Sequence, residues 1–367
     1  MLSIIDTGFH MKLNKKALGL AVAVALASTS AFAVAPTGNN SQKGSLMIFP
    51  RIDVSKDTDT LITVVNDFND TGVTLKCYYI APVDPKSKTG PKIIVDFSVD
   101  LTHNMPTYWY ASHGGAGAPP FDLWPDGVSR TAGEMKCWAV QLSDLTEIHY
   151  NHLIGTASVL VGKGQAYEYT AWTFQAVEGT NTSDNTGKKL STPGVLNLDN
   201  AEYDKCPARL LGTFFPGGQR FNQPSMTDAE IDLGPQTQIT IASCTEDLRQ
   251  DRGNPQTKLT YTFWNEEESI RTGTHECMDS WYEKDLNKFP LATHASLQTD
   301  VAYMRIQPTA STVCPGSAVV GIVGVKSESL GIGFFTRGTN LSGRGEFTGE
   351  IKYDPIEKSV APPPNIN

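Results

Sequence analysis

From Ser45 onward, apolar and polar residues alternate on a two-residue period in short runs broken by Gly, Pro, Asn and Asp. That period places successive side chains on opposite faces of an extended chain and predicts β-strands. In the first half the runs are Ser45–Val54, Thr60–Asn66, Val73–Ile80, Lys92–Val99, Gly133–Gln141, Ala157–Val161 and Ala166–Ala176. The turn formers of Asp67–Gly72 predict a hairpin between the second and third runs. The pattern resumes at Arg209–Phe215, Gln238–Ser243, Lys258–Trp264, Asp300–Gln307, Ala318–Val325, Ile332–Arg337 and Glu346–Tyr353. No stretch of a dozen residues keeps a 3.6-residue period, so helices should be few and short.

This pattern predicts an all-β protein of two tandem antiparallel β-sandwich domains, with residues 45–177 in the first and 206–356 in the second. Residues 178–205, polar and rich in Gly, Ser, Thr and Asn, read as a linker. Residues 34–44 read as a flexible N-terminal segment and the Pro-rich 357–367 as an extended tail. The halves also echo one another. Thr60–Thr63 corresponds to Thr237–Thr240, and the Gly155–Phe174 segment to the Gly316–Phe335 segment, in the same order. This is the pattern of a duplicated unit.

Residues 1–33 carry a different signature. Lys12, Lys15 and Lys16 precede a short apolar run, Ala17 to Ala27, and Ala31-Phe32-Ala33 ends it. These are the parts of a secretory leader, with cleavage expected after Ala33 and Met11 as the expected true start. Export to the extracellular space or cell surface follows as an expectation, with the periplasm as the alternative. No segment after the leader is apolar enough for a transmembrane helix.

Composition narrows the function classes. Apolar residues make up 40% and charged residues 19% of the chain, which excludes wholesale disorder. The net charge is −9, and the leader contains three of the lysines, so the exported chain is more acidic still. Without a Lys/Arg cluster, nucleic acid is not an expected partner.

Cys77, Cys137, Cys206, Cys244, Cys277 and Cys314 are even in number, and an oxidising compartment makes three disulfides the expectation. Cys77 shares a strand face with Val73 and Leu75, and Cys137 with Met135 and Ala139. Lys76 and Lys136 should then point to solvent. A Cys77–Cys137 bridge between two packed sheets resembles the buried inter-sheet disulfide of immunoglobulin-type sandwiches, although Met135 stands where that family carries its corner tyrosine. Closing such a loop contributes roughly 4 kcal/mol in the chain-entropy model. For the other four cysteines the expected pairs are Cys244–Cys277 and Cys206–Cys314, which would staple the outer elements of the second domain.

The chain has no nucleophile elbow, phosphate loop, zincin motif or C-x-x-C, so the expectation is no catalysis and no cofactor. His149 and His152 form the tightest histidine pair and are the alternative metal ligands. Positions three apart on a strand face opposite sides, so turn chemistry is the plainer reading. The stretch from Pro106 to Trp124 stands apart: Tyr108, Trp109 and Tyr110 are consecutive, and His113 and Trp124 follow in a Gly/Pro-rich loop. Three successive rings cannot all face inward, and exposed rings on a loop suit protein partners or sugars. Tyr108, Trp109, Tyr110, His113 and Trp124 are therefore the candidate contact residues. The expected function is a structural or interaction protein that self-associates or meets protein partners through sheet edges. The alternatives are a carbohydrate- or metal-binding module and a hydrolase without a recognisable motif.

Overall fold

Nine strands fill the first half of the computed structural model. They are β1 (Leu46–Asp53), β2 (Thr58–Asn66), β3 (Val73–Pro82), β4 (Lys92–Leu101), β5 (Pro106–Tyr110), β6 (Ala132–Val140), β7 (Leu153–Val161), β8 (Gln165–Thr170) and β9 (Trp172–Phe174). After β10 (Val195–Leu198) come β11 (Cys206–Phe214), β12 (Gln236–Ser243), β13 (Glu246–Asp247), β14 (Thr257–Trp264), β15 (Ile270–Met278) and β16 (Trp281–Asp285). The last five are β17 (Ala302–Thr309), β18 (Val319–Ser329), β19 (Gly333–Asn340), β20 (Ser342–Phe347) and β21 (Gly349–Lys352). The described helical elements are two 3-10 turns, Leu286–Lys288 and Pro290–Ala292, and one four-residue helix, His294–Leu297. The structure describes residues 37–84, 92–162, 165–177, 187–190, 192–217, 236–249, 256–309, 314, 317–329 and 333–355. The expected leader and the Pro-rich tail lie outside the described residues.

The fold is all-β, with the described strands in five sheets rather than in two immunoglobulin-like sandwiches. Two sheets of the first half have the orders β4-β3-β6-β1-β9 and β5-β2-β7-β8. Two of the second half have the orders β15-β14-β17-β11-β20 and β16-β12-β18-β19. The orders match strand for strand, so the echo between the halves is also an echo of topology. The fifth sheet, β10-β21-β13, ties Val195–Leu198 to the end of the chain and includes a parallel β13–β21 pair. The chain from Pro36 on forms one compact unit.

Burial explains the departure from two separate sandwiches. Every residue of β1 and β3 is buried. Met47, Phe49, Leu75, Cys77, Tyr79, Met135 and Cys137 face the core shared with β2 and β7. Leu46, Ile48, Tyr78, Ile80 and Trp138 join a second core that runs through Leu210, Ile239, Tyr261 and Met304. A sheet covered on both faces has no solvent side, so its strands read as continuous apolar runs. Trp172 donates its indole N–H to the carbonyl of Gly321 (3.1 Å), and Trp281 donates to that of Pro50 (2.8 Å), across the two halves.

The same geometry corrects Lys76 and Lys136, which are buried rather than solvent-facing. Lys76 pairs with Asp96, and Lys136 pairs with Glu134 and Glu246. Alternation put both lysines on the opposite face from the cysteines, but carboxylates and the second core cover that face. The hairpin expected around Asp67–Gly72 is also absent. β2 and β3 belong to different sheets, and the six residues between them turn the corner from one to the other.

Three disulfides are present. Cys77 and Cys137 are bonded, but within one sheet. They lie directly opposite each other on β3 and β6, with Cα atoms 4.1 Å apart, so the bridge staples neighbouring strands instead of joining two sheets. The other pairs are Cys206–Cys244 and Cys277–Cys314, not Cys244–Cys277 and Cys206–Cys314. Strand order is the reason. Cys277 and Thr309 lie on either side of Lys258 across β15-β14-β17, and Cys314, five residues beyond Thr309 in the sequence, bonds Cys277.

Candidate interaction surface

β5 is built from Pro106-Thr-Tyr-Trp-Tyr110 and forms one edge of the sheet β5-β2-β7-β8. Its alternation is strict. Trp109 is buried, whereas Tyr108 and Tyr110 are 64% and 42% exposed. Trp109 anchors the strand. Its indole N–H donates to the phenol oxygen of Tyr79 (2.8 Å), and burial pushes the Tyr79 hydroxyl well above its ordinary pKa. Phe121 packs edge-on to Tyr79 with centroids 5.1 Å apart, and Trp124 packs edge-on to Phe121 at 5.2 Å.

Trp124 is buried, and the Arg130 guanidinium lies over its ring at 5.5 Å. Arg130 donates to the carbonyls of Pro82 and Val83 and grips Asp126 with two bonds (2.7 and 2.8 Å), which closes this end of the sheet pair. These bonds hold the exposed Asp126 carboxyl down to about 2. The loop after β5 folds tightly. Gly114 adopts φ +71°, and a Cβ there would lie 2.5 Å from the Ala118 carbonyl oxygen, so only glycine fits. His113 is exposed, with its ring Nδ1 2.6 Å from the Ser112 hydroxyl. Ser112 in turn donates to Asp59 on β2 (2.6 Å).

The outward face of this sheet consists of cross-strand rows. Tyr110, Leu61, Ser158 and Glu168 form one row, and Tyr108, Thr63, Thr156 and Thr170 form the next. No residue of β2, β5, β7 or β8 is Lys or Arg, and their only acids are Asp59 and Glu168. The candidate rings Tyr108 and Tyr110 thus sit at the edge of a nearly uncharged sheet, while Trp109 and Trp124 build the core behind it. Sequence patterning found the rings. It missed the face that continues them, whose signal is four strand runs without a cation.

Comparison with known proteins adds no family. No family model matches the chain, and no curated protein matches it. Among solved structures, the chain is similar to a chain of the cowpea mosaic virus top component, the naturally occurring empty particles. The identity is 9%, with 88% of this chain and 95% of that one covered and a TM-score of 0.18. A second is the human norovirus GI.7 Houston strain virus-like particle asymmetric unit, at 8% identity, with 82% of this chain and 79% of that one covered and a TM-score of 0.14. At such TM-scores neither likeness carries an argument.

The histidines lie elsewhere. His149 is buried, with its backbone bonded to Gly187 and Lys188. His152 packs on Phe68 and Tyr150, with Nδ1 3.1 Å from Asp67. Among the described residues, no three His, Cys, Asp or Glu side chains are grouped to hold a metal. An open cleft of about 690 Å³ lies near this loop, lined in part by Phe68, Asp70, Asp100 and Tyr150. Among the described residues, no helix is long and apolar enough to cross a membrane.

Two ionic networks join the halves away from this surface. Lys136 pairs with Glu134 (2.9 Å) and with Glu246 of β13, and Glu246 also holds Lys92. Burial pushes Glu134 up to about 8, whereas the two lysines hold Glu246 below its ordinary value against the effect of burial. Arg51 pairs with Asp53 and donates to Glu283 (2.7 Å) and Thr240 (3.2 Å). Sequence alternation assigned these charges to solvent or left them unplaced, because their partners are remote in the chain.

Proposed function

We propose that this chain is an exported, non-catalytic structural or interaction protein of the cell surface or extracellular space, which meets protein partners through the edge strand β5. Three disulfides support an oxidising compartment. The observation that carries the reading is the pair Tyr108 and Tyr110, exposed on an edge strand that bears no charged residue. Soluble proteins usually protect sheet edges with lysine, inward-pointing charge or a covering segment; the loop at Gly114 covers β5 only at Tyr110, and an uncharged edge with exposed aromatic rings suits a partner. The test is sedimentation and electron microscopy of the purified exported protein beside Tyr108→Lys/Tyr110→Lys, together with retention on intact producing cells. Assemblies or retention that the double variant loses, at unchanged melting temperature, support the reading. Equal behaviour of both proteins, or turnover in a hydrolase screen, overturns it. Mass spectrometry of the same material should find Val34 at the N-terminus.

A second reading, binding of a neutral carbohydrate, draws on the hydroxyl row Thr63, Thr156 and Thr170 beside the Tyr108 ring. Electrophoresis through gels containing neutral polysaccharides tests it. Equal mobility of the wild type in the presence and absence of polysaccharide removes this reading.

A further inference from the structure

We propose that the outward face of the sheet β15-β14-β17-β11-β20 binds an anionic polysaccharide, whose acid groups meet Arg209, Arg305 and Arg344 and whose sugar rings stack on Trp264 and Tyr303. This sheet is distinct from the one that carries β5. Strand alternation builds the face. Leu210, Leu259, Tyr261 and Met304 point into the core, so the residues between them point out. Cross-strand pairing sets the rows. Ile270, Trp264, Tyr303 and Thr213 form one row, and Thr272, Thr262, Arg305, Leu211 and Ser342 form the next. Arg209 continues the face two residues before Leu211 and stands directly opposite Arg344 on β20.

The arginines on this face have no acid partners. Arg209 and Arg344 are exposed, and like charges directly opposite on neighbouring strands repel. Among the described residues, Arg209, Arg305 and Arg344 form no salt bridge, although the chain has a net charge of −9. Arg305 donates to the Thr262 hydroxyl of β14 (3.3 Å), which orients it on the face. Acids lie at the margins. Glu266–Glu268 and Asp300 stand beyond the Trp264–Tyr303 row, and Glu346 lies near the end of β20, where Lys205 pairs with it (3.4 Å). An anion that bridges the arginines removes their repulsion, and guanidinium forks match carboxylate and sulfate oxygens.

Trp264 and Tyr303 are stacked, with centroids 6.1 Å apart and planes 15° from parallel, and Tyr303 is 43% exposed. Such a pair offers a flat apolar platform to a sugar ring, and the hydroxyls of Thr213, Thr272 and Ser342 beside it can bond sugar hydroxyls. The corresponding sheet of the first half shows what satisfies a face of this kind. There Tyr78 and Trp138 stack at 5.3 Å, Tyr353 packs on Trp138, and Glu246 pairs with Lys136. In the first half the chain itself supplies both the covering ring and the carboxylate. On β14, β17 and β11 the ring pair and the cations face solvent. From Trp264 to Arg344 the track crosses four strands and two rows, about 20 Å end to end, which suits an extended polymer rather than a single small anion.

The test is equilibrium binding of the full exported chain, read by tryptophan fluorescence, to alginate, polygalacturonate and dextran sulfate. Dextran, poly-glutamate and an oligothymidylate are the comparators. Binding to at least one of the three anionic polysaccharides, weakened by added salt, supports the proposal if its dissociation constant rises more than tenfold in both Arg209→Gln/Arg344→Gln and Tyr303→Ser. Unchanged circular dichroism and melting verify the fold of each variant. Which of the three polymers bind identifies the acid group as carboxylate or sulfate. Tyr108→Ser, on the other sheet, should bind as the wild type does, so failure of the β5 reading leaves this one standing. No binding to any of the three overturns the proposal. So does an effect of neither variant or of only one, because both acid and ring contacts are required. Equal affinity for dextran, poly-glutamate or the oligothymidylate also overturns it, and assigns the face to a neutral sugar, an acidic protein segment or a nucleic acid.

Discussion

Trp109 donates its indole N–H to the hydroxyl of Tyr79 over 2.8 Å, and this bond orients the rings on either side of it. With Trp109 locked into the core, strand alternation forces Tyr108 and Tyr110 outward. The proposed contact surface is therefore held by a buried residue, and the roles of the three neighbouring rings separate by mutation.

Trp109→Ala should destabilise the protein by about 3–5 kcal/mol, as for other buried Trp truncations. Trp109→Phe keeps most of the volume but strands the Tyr79 hydroxyl, at a cost of about 1–3 kcal/mol. Tyr108→Ser should change stability by less than about 0.5 kcal/mol while weakening association. Urea denaturation of the three variants checks the order, and a Tyr108→Ser loss as large as that of Trp109→Ala would refute the assignment.

The Lys136–Glu246 pair predicts that Glu246→Gln costs about 3–5 kcal/mol, because it leaves two buried lysines short of a carboxylate. Replacing the network members Lys92, Glu134, Lys136 and Glu246 together by apolar residues of similar volume should recover much of that loss. Thermal unfolding of the single and combined variants is the measurement. No recovery would mean that the network specifies the junction between the halves as well as filling it.

Glu202 predicts a pH dependence. Burial, opposed in part by hydrogen bonds from Asn197, pushes its carboxyl from 4.5 up to about 7. The folded state therefore binds more protons than the unfolded state between these values, and stability falls as pH rises from about 4.5 to about 7. Burial raises Glu147 and Asp204 as well, and both add to the same slope. Denaturation midpoints across this window should decline in the wild type and decline less in Glu202→Gln. A wild-type midpoint that rises through the window contradicts the sign.

Non-reduced peptide mapping should recover Cys206–Cys244 and Cys277–Cys314 beside Cys77–Cys137. Opening either of the first two loops, which span 38 and 37 residues, should cost about 4 kcal/mol in the chain-entropy model. A Cys206–Cys314 peptide would contradict the strand order around β14 and β17.

Alternation by itself was enough to place most strands and the Cys77–Cys137 pair, and to require that not all of Tyr108, Trp109 and Tyr110 face inward, because these depend on a local two-residue period. It also made the repeat between the halves visible. Which sheet each strand enters depends on partners remote in sequence, so β2 and β3 looked like a hairpin and the cysteines like an inter-sheet bridge. Lys136 shows the limit most clearly. Its period places it opposite Cys137, but only the tertiary structure reveals that this face is covered and that Glu246, from the other half, makes the burial tolerable. The open edge of β5 is likewise a tertiary fact: Tyr108 is an edge residue because β2 pairs with β5 on one side and β7 on the other, leaving the outer side of β5 without a strand.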